Sequence, residues 1–279
     1  MNFLKVSTSE LIDLGKQKRE EYMNAAPFPN IYFDNFFNED ALSQVLSEFP
    51  EIGKSADDIK FNSPNENKLA TRGEHRFQNV TKEFVHFLNS QPFLEFLQNL
   101  SGIEQTLIPD PYFEGGGFHE IKPGGYLKMH VDFHKHKHTG LDRRLNVLVY
   151  LNKDWEESYG GNFELWERDM SKSVVKILPV FNRMAIFSTT GYSWHGHPDP
   201  LTCPPDRSRR SLALYYYSNG RPADEVANAE SSKTITSFTL RKGQDSKKMI
   251  LFNTYKKALR EWVPPILLKT VKKVAGKKD

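Results

Sequence analysis

The stretch Lys128-Met129-His130-Val131-Asp132-Phe133 alternates polar and apolar residues and decides how the rest of the chain is interpreted. In a β-strand, residues i and i+2 point to the same side, so His130 and Asp132 are predicted to lie side by side on one face of a sheet. An imidazole and a carboxylate in this arrangement can bind a metal ion. Two protein ligands rarely hold such an ion alone, so a third ligand is expected from a distant strand.

The third ligand is predicted within Ser193-Trp194-His195-Gly196-His197-Pro198. His195 and His197 share one face of an extended segment, so either of them could complete the site. Two histidines and one carboxylate on one face of an octahedron, with the other positions open, are typical of non-haem Fe(II) oxygenases.

Composition narrows the class of protein. The chain has 279 residues, of which 38% are hydrophobic and 13% aromatic, which is enough for a folded core and excludes a disordered chain. A net charge of +3 gives no general case for nucleic-acid binding. The single cysteine, Cys203, excludes an internal disulfide framework and favours a reducing compartment. The polar start and the lack of a long apolar stretch make a cytoplasmic protein the expectation.

The pattern of the chain predicts three parts. Residues 1–110 are predicted as helical and strand support of the same domain, with helices over 8–25, from Asn38 onward and in two pieces over 81–100. Residues 53–73 lack a clear period and are interpreted as a long loop, a candidate lid. Residues 111–220 form the predicted core. Residues 221–279 are predicted as an extension with an amphipathic, lysine-rich helix.

Short alternating segments fill the core and predict a β-sandwich or barrel. The predicted strands are Gly117–Ile121, Leu127–Phe133, Arg144–Leu151, Asn162–Trp166, Val174–Ile177, Arg183–Ser188, Trp194–His197 and Ser211–Ser218.

The order of several motifs along the chain is similar to that of a known family. The His-x-Asp pair is followed by Tyr150-Leu151-Asn152, Gly160-Gly161, His195 and Arg209-Arg210-Ser211. This order resembles the 2-oxoglutarate/Fe(II) dioxygenases, and within them the prolyl 4-hydroxylase-like branch. The resemblance covers about residues 25 to 220. It implies a mainly β fold with flanking helices around a double-stranded β-helix (jelly-roll) core. It also implies Fe(II), 2-oxoglutarate and O2, with ascorbate as a further candidate.

By position, the resemblance assigns the metal to His130, Asp132 and His195, because the register from Phe187-Ser188 favours His195 over His197. Arg209 matches the residue that pairs with the far carboxylate of 2-oxoglutarate, and a guanidinium fork suits a carboxylate on physical grounds as well.

Four further residues are assigned to the co-substrate pocket. Tyr150 matches a tyrosine that hydrogen-bonds the same carboxylate, and Ser211 lies on the same strand face as Arg209. Asn146 and Leu148 share a face with Tyr150 and are expected to line the pocket.

The substrate is the least determined part. Arg143, Tyr215 and His197 are candidate substrate contacts, although a solvated charge is an equal interpretation for Arg143 and Arg144. The family often has a tyrosine where Ile121-Lys122 stand and a tryptophan where Tyr215 stands, and both departures bear on the substrate. His134, His136 and His138 alternate like a second metal site, but a solvated loop is favoured for this lysine-rich segment.

The predicted activity is hydroxylation of a C–H bond, with a peptidyl or free proline as the family-based substrate. Hydroxylation of a sugar, a lipid or another small metabolite is the alternative. Two other classes stay open, namely a cupin-like metal-binding protein without oxygenase activity, and a module that binds a partner or, weakly, a membrane surface through its C-terminal helix. The sequence does not indicate the oligomeric state.

Overall fold

The structure is a computed structural model that describes residues 1–223, 225, 235–246, 248–249 and 251–255. The α-helices are α1 (Thr8–Met23), α2 (Glu39–Ser47), α3 (Asn79–Leu88) and α4 (Gln91–Ser101). The first seven strands are β1 (Asn30–Phe33), β2 (Ile59–Ser63), β3 (Glu66–Ala70), β4 (Ile108–Pro109), β5 (Gly117–Ile121), β6 (Tyr126–Val131) and β7 (Asp142–Tyr150). The others are β8 (Phe163–Trp166), β9 (Ser173–Ile177), β10 (Met184–Ser188), β11 (His195–His197), β12 (Arg209–Ser218) and β13 (Ser237–Phe238).

The strands form one antiparallel, nearly closed sheet in the order β1-β10-β7-β12-β5-β3-β6-β11-β8-β9. Strand β3 closes the sheet at one point, because Ala70 pairs with His119 of β5 while Glu66 pairs with Leu127 of β6. This arrangement is the double-stranded β-helix that the family resemblance implied, and it agrees with the β-sandwich or barrel predicted from the strand pattern.

The central strands β7 and β12 are buried on both faces. Leu145, Val147 and Val149 point outward into the main hydrophobic core, which also contains side chains of the helices such as Phe93 and Phe96. The alternate residues of the same strands point into the barrel, where the polar side chains of the site are found. Helices α1 and α4 pack against each other, and Gly15 allows their close approach because a Cβ there would lie 2.6 Å from the carbonyl oxygen of Phe96.

All eight predicted strands exist, and their ends differ from the prediction by at most a few residues. The helices predicted within residues 1–110 are found as well. Ser7 caps α1 in a capping box, in which its side chain accepts from the backbone N–H of Glu10 while the Glu10 side chain accepts from the backbone of Ser7.

The interpretation of residues 53–73 as a loop is wrong. Strands β2 and β3 pair as a hairpin in which Ile59 lies opposite Ala70 and Ser63 opposite Glu66. The alternation in Ile59-Lys60-Phe61 was the signal for it, but the polar residues around Pro64 and Asn65 concealed the pairing. The hairpin attaches to the barrel through β3, so its inner face becomes part of the barrel wall.

The chain divides into two compact units, Met1–Thr239 and Leu240–Asp279. In the second unit, Arg241 forms an ion pair with Asp245 at 3.1 Å, and residues 248–249 and 251–255 are helical. Most of the predicted C-terminal helix, from 256 to 275, lies outside the described residues. Among the residues described, no helix has both the length and the apolarity needed to cross a membrane.

Candidate metal and co-substrate site

Three side chains from two neighbouring strands meet inside the barrel. His130 and Asp132 extend from β6 and its end, and His195 on β11 is paired directly with His130 across the ladder. The Nε2 atoms of His130 and His195 lie 3.7 Å and 3.4 Å from the two carboxylate oxygens of Asp132. All three side chains are buried. In the described part of the chain, these three residues form a group whose ligand atoms lie close enough together to hold one metal ion.

Backbone hydrogen bonds determine which histidine nitrogens face the centre. The Nδ1 atom of His130 lies 2.9 Å from the carbonyl oxygen of Lys128, and that of His195 lies 2.8 Å from the carbonyl oxygen of Ser193. A carbonyl only accepts, so each Nδ1 carries the proton and each Nε2 presents a lone pair toward Asp132. Lone pairs facing a carboxylate at these distances repel unless a cation lies between them. The three donors therefore fit a metal ion, and burial together with neighbouring His195 lowers the pKa of His130 to about 3, which keeps this ligand neutral.

Asp132 is held by two side chains of β7. Asn146 donates from Nδ2 to Asp132 Oδ2 at 2.7 Å, and Arg143 lies 3.1 Å from the same oxygen. Arg143 also donates from Nε to Asn146 Oδ1 at 2.8 Å, so the three groups form a closed network. Burial alone would raise the pKa of Asp132, but the Arg143 guanidinium holds it well below its usual value.

The interpretation of Arg143 as a solvated charge is wrong. Its side chain is fully buried, and its guanidinium carbon lies 3.4 Å from the ring centroid of Tyr215 and 4.6 Å from that of Phe133. The guanidinium thus stacks on the aromatic wall of the cavity while it neutralises Asp132. Arg144 is also buried, but it binds Gln105, Ser218 and Glu225 and does not line the cavity.

A second charged centre lies on β12 in the same cavity. Arg209 is buried, donates from Nε to the carbonyl oxygen of Gly161 at 2.8 Å and lies 3.5 Å from the Tyr150 hydroxyl. No carboxylate of the described residues lies within ion-pair distance of it. Ser211 is paired with Tyr150 across the ladder and lines the same cavity. Burial lowers the pKa of Arg209, which shows how poorly its charge is compensated.

The triad and Arg209 line one cavity of about 250 Å3. Asn146 and Leu148 also line it, as the alternation of β7 predicts. A carboxylate at Arg209 would therefore belong to a molecule that shares the cavity with the metal.

His197 and Tyr215 also lie on this cavity. Both ring nitrogens of His197 are buried and have no hydrogen-bond partner among the described residues, and burial together with Arg209 lowers its pKa well below the usual value. His197 is not part of the metal-binding group, as the choice of His195 predicts. The Tyr215 hydroxyl donates to the carbonyl oxygen of Gly115 at 2.8 Å, so its ring is held as part of the wall.

The predicted solvated loop at residues 133–140 is wrong for two of its histidines. His134 and His136 are buried, with Nε2 of His134 3.2 Å from the carbonyl oxygen of Thr190 and Nε2 of His136 3.2 Å from Asp110. His138 is exposed, as predicted. The Nδ1 atom of His136 accepts from the backbone N–H groups of His138 and Thr139, so the proton of the neutral ring lies on Nε2, which faces Asp110.

Sequence reasoning missed several side chains that line the cavity. Phe61, Glu66 and Lys68 enter it from the hairpin, and Phe238 enters it from β13, where its ring centroid lies 5.4 Å from that of His130. His119 of β5 lines it as well. The hairpin residues share one face of the alternating segments 59–63 and 66–70, which was the available signal for them.

Comparison with known proteins finds one family model that matches the part of the chain with this geometry. A model described as the 2OG-Fe(II) oxygenase superfamily matches residues 116–217, the segment that carries the triad, Tyr150, Arg209 and Ser211.

Solved structures share the fold. A prolyl hydroxylase from Trichoplax adhaerens, in complex with a peptide of the hypoxia inducible factor oxygen degradation domain, is 16% identical over 75% of this chain and 91% of its own, with a TM-score of 0.55. A Pseudomonas putida prolyl-4-hydroxylase is 14% identical over 77% of this chain and 100% of its own, with a TM-score of 0.53. HygX from Streptomyces hygroscopicus, with nickel and 2-oxoglutarate bound, is 11% identical over 80% of this chain and 97% of its own, with a TM-score of 0.51.

Proposed function

We propose that this chain is a 2OG-Fe(II) oxygenase that hydroxylates a C–H bond of a proline or of a proline-like group in a small molecule or peptide. In this proposal His130, Asp132 and His195 hold Fe(II), and Arg209, Tyr150 and Ser211 hold the far carboxylate of 2-oxoglutarate. Asn146 and Leu148 line the pocket between the two centres.

The observation that carries this proposal is the buried Arg209 guanidinium without a carboxylate partner among the described residues. Leaving a buried charge uncompensated is costly, so Arg209 is a prepared site for an acid that comes from outside the chain. That acid must fit a cavity that also exposes a metal-binding triad. The two carboxylates of 2-oxoglutarate satisfy both requirements, whereas a cupin-like metal protein needs no such arginine.

The iron and 2-oxoglutarate would supply the oxidising chemistry when bound. The chain supplies orientation and exclusion of water. Arg143 and Asn146 keep Asp132 ionised and fix its rotamer, and the carbonyl groups of Lys128 and Ser193 turn both imidazoles toward the centre. Arg209 and the metal ligands would hold 2-oxoglutarate at two points, which would fix its orientation in the cavity.

Proline as the substrate is supported by the two prolyl hydroxylases that share the fold, and this support is an analogy. A sugar, a lipid or another metabolite is the alternative. Ascorbate dependence, a cytoplasmic location and a membrane-surface contact of the C-terminal extension belong to the same proposal. The single cysteine supports the location, and the lysines near the C-terminus support the contact.

The first test is anaerobic titration of the purified full chain with Fe(II) and 2-oxoglutarate, followed by the weak visible charge-transfer band of the chelate. We expect the band in the native protein and its loss in Asp132→Ala. Arg209→Ala should raise the 2-oxoglutarate concentration for half-saturation by about tenfold or more, because charged hydrogen bonds are lost.

The matched control is Arg210→Ala, which removes the neighbouring and partly exposed guanidinium that packs on Phe49 outside the cavity. It should titrate like the native protein. Absence of the band at saturating 2-oxoglutarate would contradict the proposed function and favour a metal-binding scaffold.

A further inference from the structure

The hairpin brings a pair of opposite charges into the cavity. Glu66 and Lys68 are two residues apart on β3 and point to the same side, and both line the cavity together with the metal triad. Only 14% of the Lys68 side chain and 17% of the Glu66 side chain are exposed. The Lys68 ammonium lies 4.8 Å from the ring centroid of Phe61, which lines the same wall.

The ion pair between Lys68 and Glu66 is longer than a well-formed one. The Lys68 Nζ atom lies 3.5 Å from Glu66 Oε2, whereas well-formed ammonium–carboxylate hydrogen bonds measure about 2.7–2.9 Å. Two mostly buried charges at this separation lose hydration without gaining a strong bond in return. Both groups are therefore available to stronger partners within the cavity.

The other charges of the cavity already have assigned partners. Arg143 neutralises Asp132 at 3.1 Å, and under the proposed function Arg209 takes the far carboxylate of 2-oxoglutarate. Glu66 and Lys68 remain for the molecule that is oxidised. A simple anion bound at Lys68 would be repelled by Glu66 next to it. A molecule that carries an ammonium beside its carboxylate avoids that repulsion, because each of its charges meets an opposite one.

We propose that Lys68 and Glu66 bind the carboxylate and the ammonium of a free α-amino acid, which is the substrate of this oxygenase. The cavity size agrees with a small substrate, since about 250 Å3 lies below the about 300–1,000 Å3 of common ligand pockets and must also hold 2-oxoglutarate. This inference rests on the proposed function and selects a free amino acid over a peptidyl residue.

The probe set is L-proline and the other common L-amino acids, each compared with its primary amide and its N-acetyl derivative. Each compound is added to the anaerobic complex of the full chain with Fe(II) and 2-oxoglutarate, and the perturbation of the visible band gives its affinity. We expect at least one free amino acid to bind about tenfold or more tightly than its amide and its N-acetyl form, because each derivative loses one charge. Under O2, the same amino acid should increase the release of CO2 from 2-oxoglutarate.

Two variants connect this preference to the hairpin. Lys68→Met should abolish the preference for the acid over the amide, and Glu66→Gln should abolish the preference for the free ammonium over the N-acetyl form. Lys60→Met is the matched control, because Lys60 lies on β2 of the same hairpin but is exposed and lines a separate surface depression. It should keep both preferences.

The outcomes separate the two proposals. A normal 2-oxoglutarate band with no response to any free amino acid would overturn the inference and leave the proposed function standing. The same holds if Lys68→Met and Glu66→Gln keep the preference for the free amino acid over its amide and its N-acetyl form. Weaker 2-oxoglutarate binding in Lys68→Met would assign Lys68 to the co-substrate and overturn the inference as well. Absence of the band in the native protein would instead contradict the proposed function.

Discussion

At the scale of single residues, the site depends on buried charges that are neutralised by buried partners. The Oδ2 atom of Asp132 accepts a hydrogen bond from Asn146 and lies in an ion pair with Arg143. Each of its two carboxylate oxygens also faces one imidazole of the triad. This network explains why an arginine occupies the interior of a barrel. It holds the ionised form of a carboxylate whose burial alone would favour protonation.

Arg143→Met is expected to weaken Fe(II) binding in a pH-dependent way. Without the guanidinium, burial raises the pKa of Asp132, and a protonated carboxyl is a poor metal ligand. Affinity measured by anaerobic titration should fall about tenfold or more at pH 6 and recover in part at pH 8, because Asp132 ionises again at the higher pH.

Arg144→Met provides the control for that measurement. Arg144 is the adjacent residue, is also buried and also loses an ion pair, but its partner Glu225 is not part of the cavity. This variant should lose stability and keep the Fe(II) affinity and its pH dependence. An equal loss of affinity in both variants would mean that Arg143 acts only through general stability.

At the scale of elements, the site depends on how closely β11 lies against β6. Gly196 lies between His195 and His197, and a Cβ at this position would lie 2.7 Å from the carbonyl oxygen of Leu127 and 3.0 Å from that of Lys128. These are backbone atoms of the strand that carries His130. The absence of a side chain at Gly196 therefore sets the distance between the histidines of the triad.

Gly196→Ala is expected to reduce Fe(II) affinity by about tenfold or more, because the two strands must separate and metal ligands tolerate little displacement. Fe(II) titration of the folded variant, with circular dichroism to verify folding, measures this effect.

Gly15→Ala is the matched control. A Cβ there would be equally crowded, at 2.6 Å from the carbonyl oxygen of Phe96, but at the contact of α1 with α4. It should lower stability, despite the higher helix propensity of alanine, and should leave Fe(II) affinity unchanged. Normal metal binding in Gly196→Ala would contradict the role assigned to the β6–β11 contact.

At the scale of the whole molecule, buried neutral histidines link folding to pH. The pKa of His130 is lowered by burial and by His195 to about 3, and that of His197 is lowered well below its usual value. In the unfolded chain both should titrate near 6.5. As the pH falls below about 6.5, the unfolded chain therefore takes up protons that the native protein does not, and the native state loses stability.

The metal-free protein is thus expected to lose about 2 kcal/mol of unfolding free energy per histidine between pH 7.5 and pH 5. Urea unfolding at several pH values measures this loss. In His197→Gln the loss should be smaller by about 2 kcal/mol, whatever the stability of that variant at pH 7.5, because the other buried histidines still contribute. The depressed pKa of Asp132 acts in the same direction, but only at lower pH, near and below about 4. A flat profile from pH 7.5 to pH 5 would contradict the assignment of both histidines as neutral.

The sequence by itself predicted the strands of the barrel and the pair formed by His130 and Asp132. The alternation within each strand places His130 beside Asp132 and predicts which residues of β7 point inward, because a strand has a side-chain period of two whatever surrounds it. The order of motifs resembles that of the 2-oxoglutarate/Fe(II) dioxygenases, and this resemblance assigned His195 to the metal and Arg209, Tyr150 and Ser211 to the co-substrate. These features depend on local geometry or on a fixed order along the chain, and both are visible in the sequence.

Only the tertiary structure decided the environment of each charge. The sequence left Arg143 open between a substrate contact and a solvated charge, and it placed Lys68 in a predicted loop. Burial of a charged side chain depends on a partner that is distant in sequence, so the sequence alone does not indicate it. Arg143 is buried because Asp132 approaches it across the barrel, and Lys68 faces the cavity because β3 pairs with both β5 and β6. Strand pairing over long separations has no local signal, so the attachment of the hairpin to β5 and β6, and the cavity wall that it builds, could be recognised only in the folded chain.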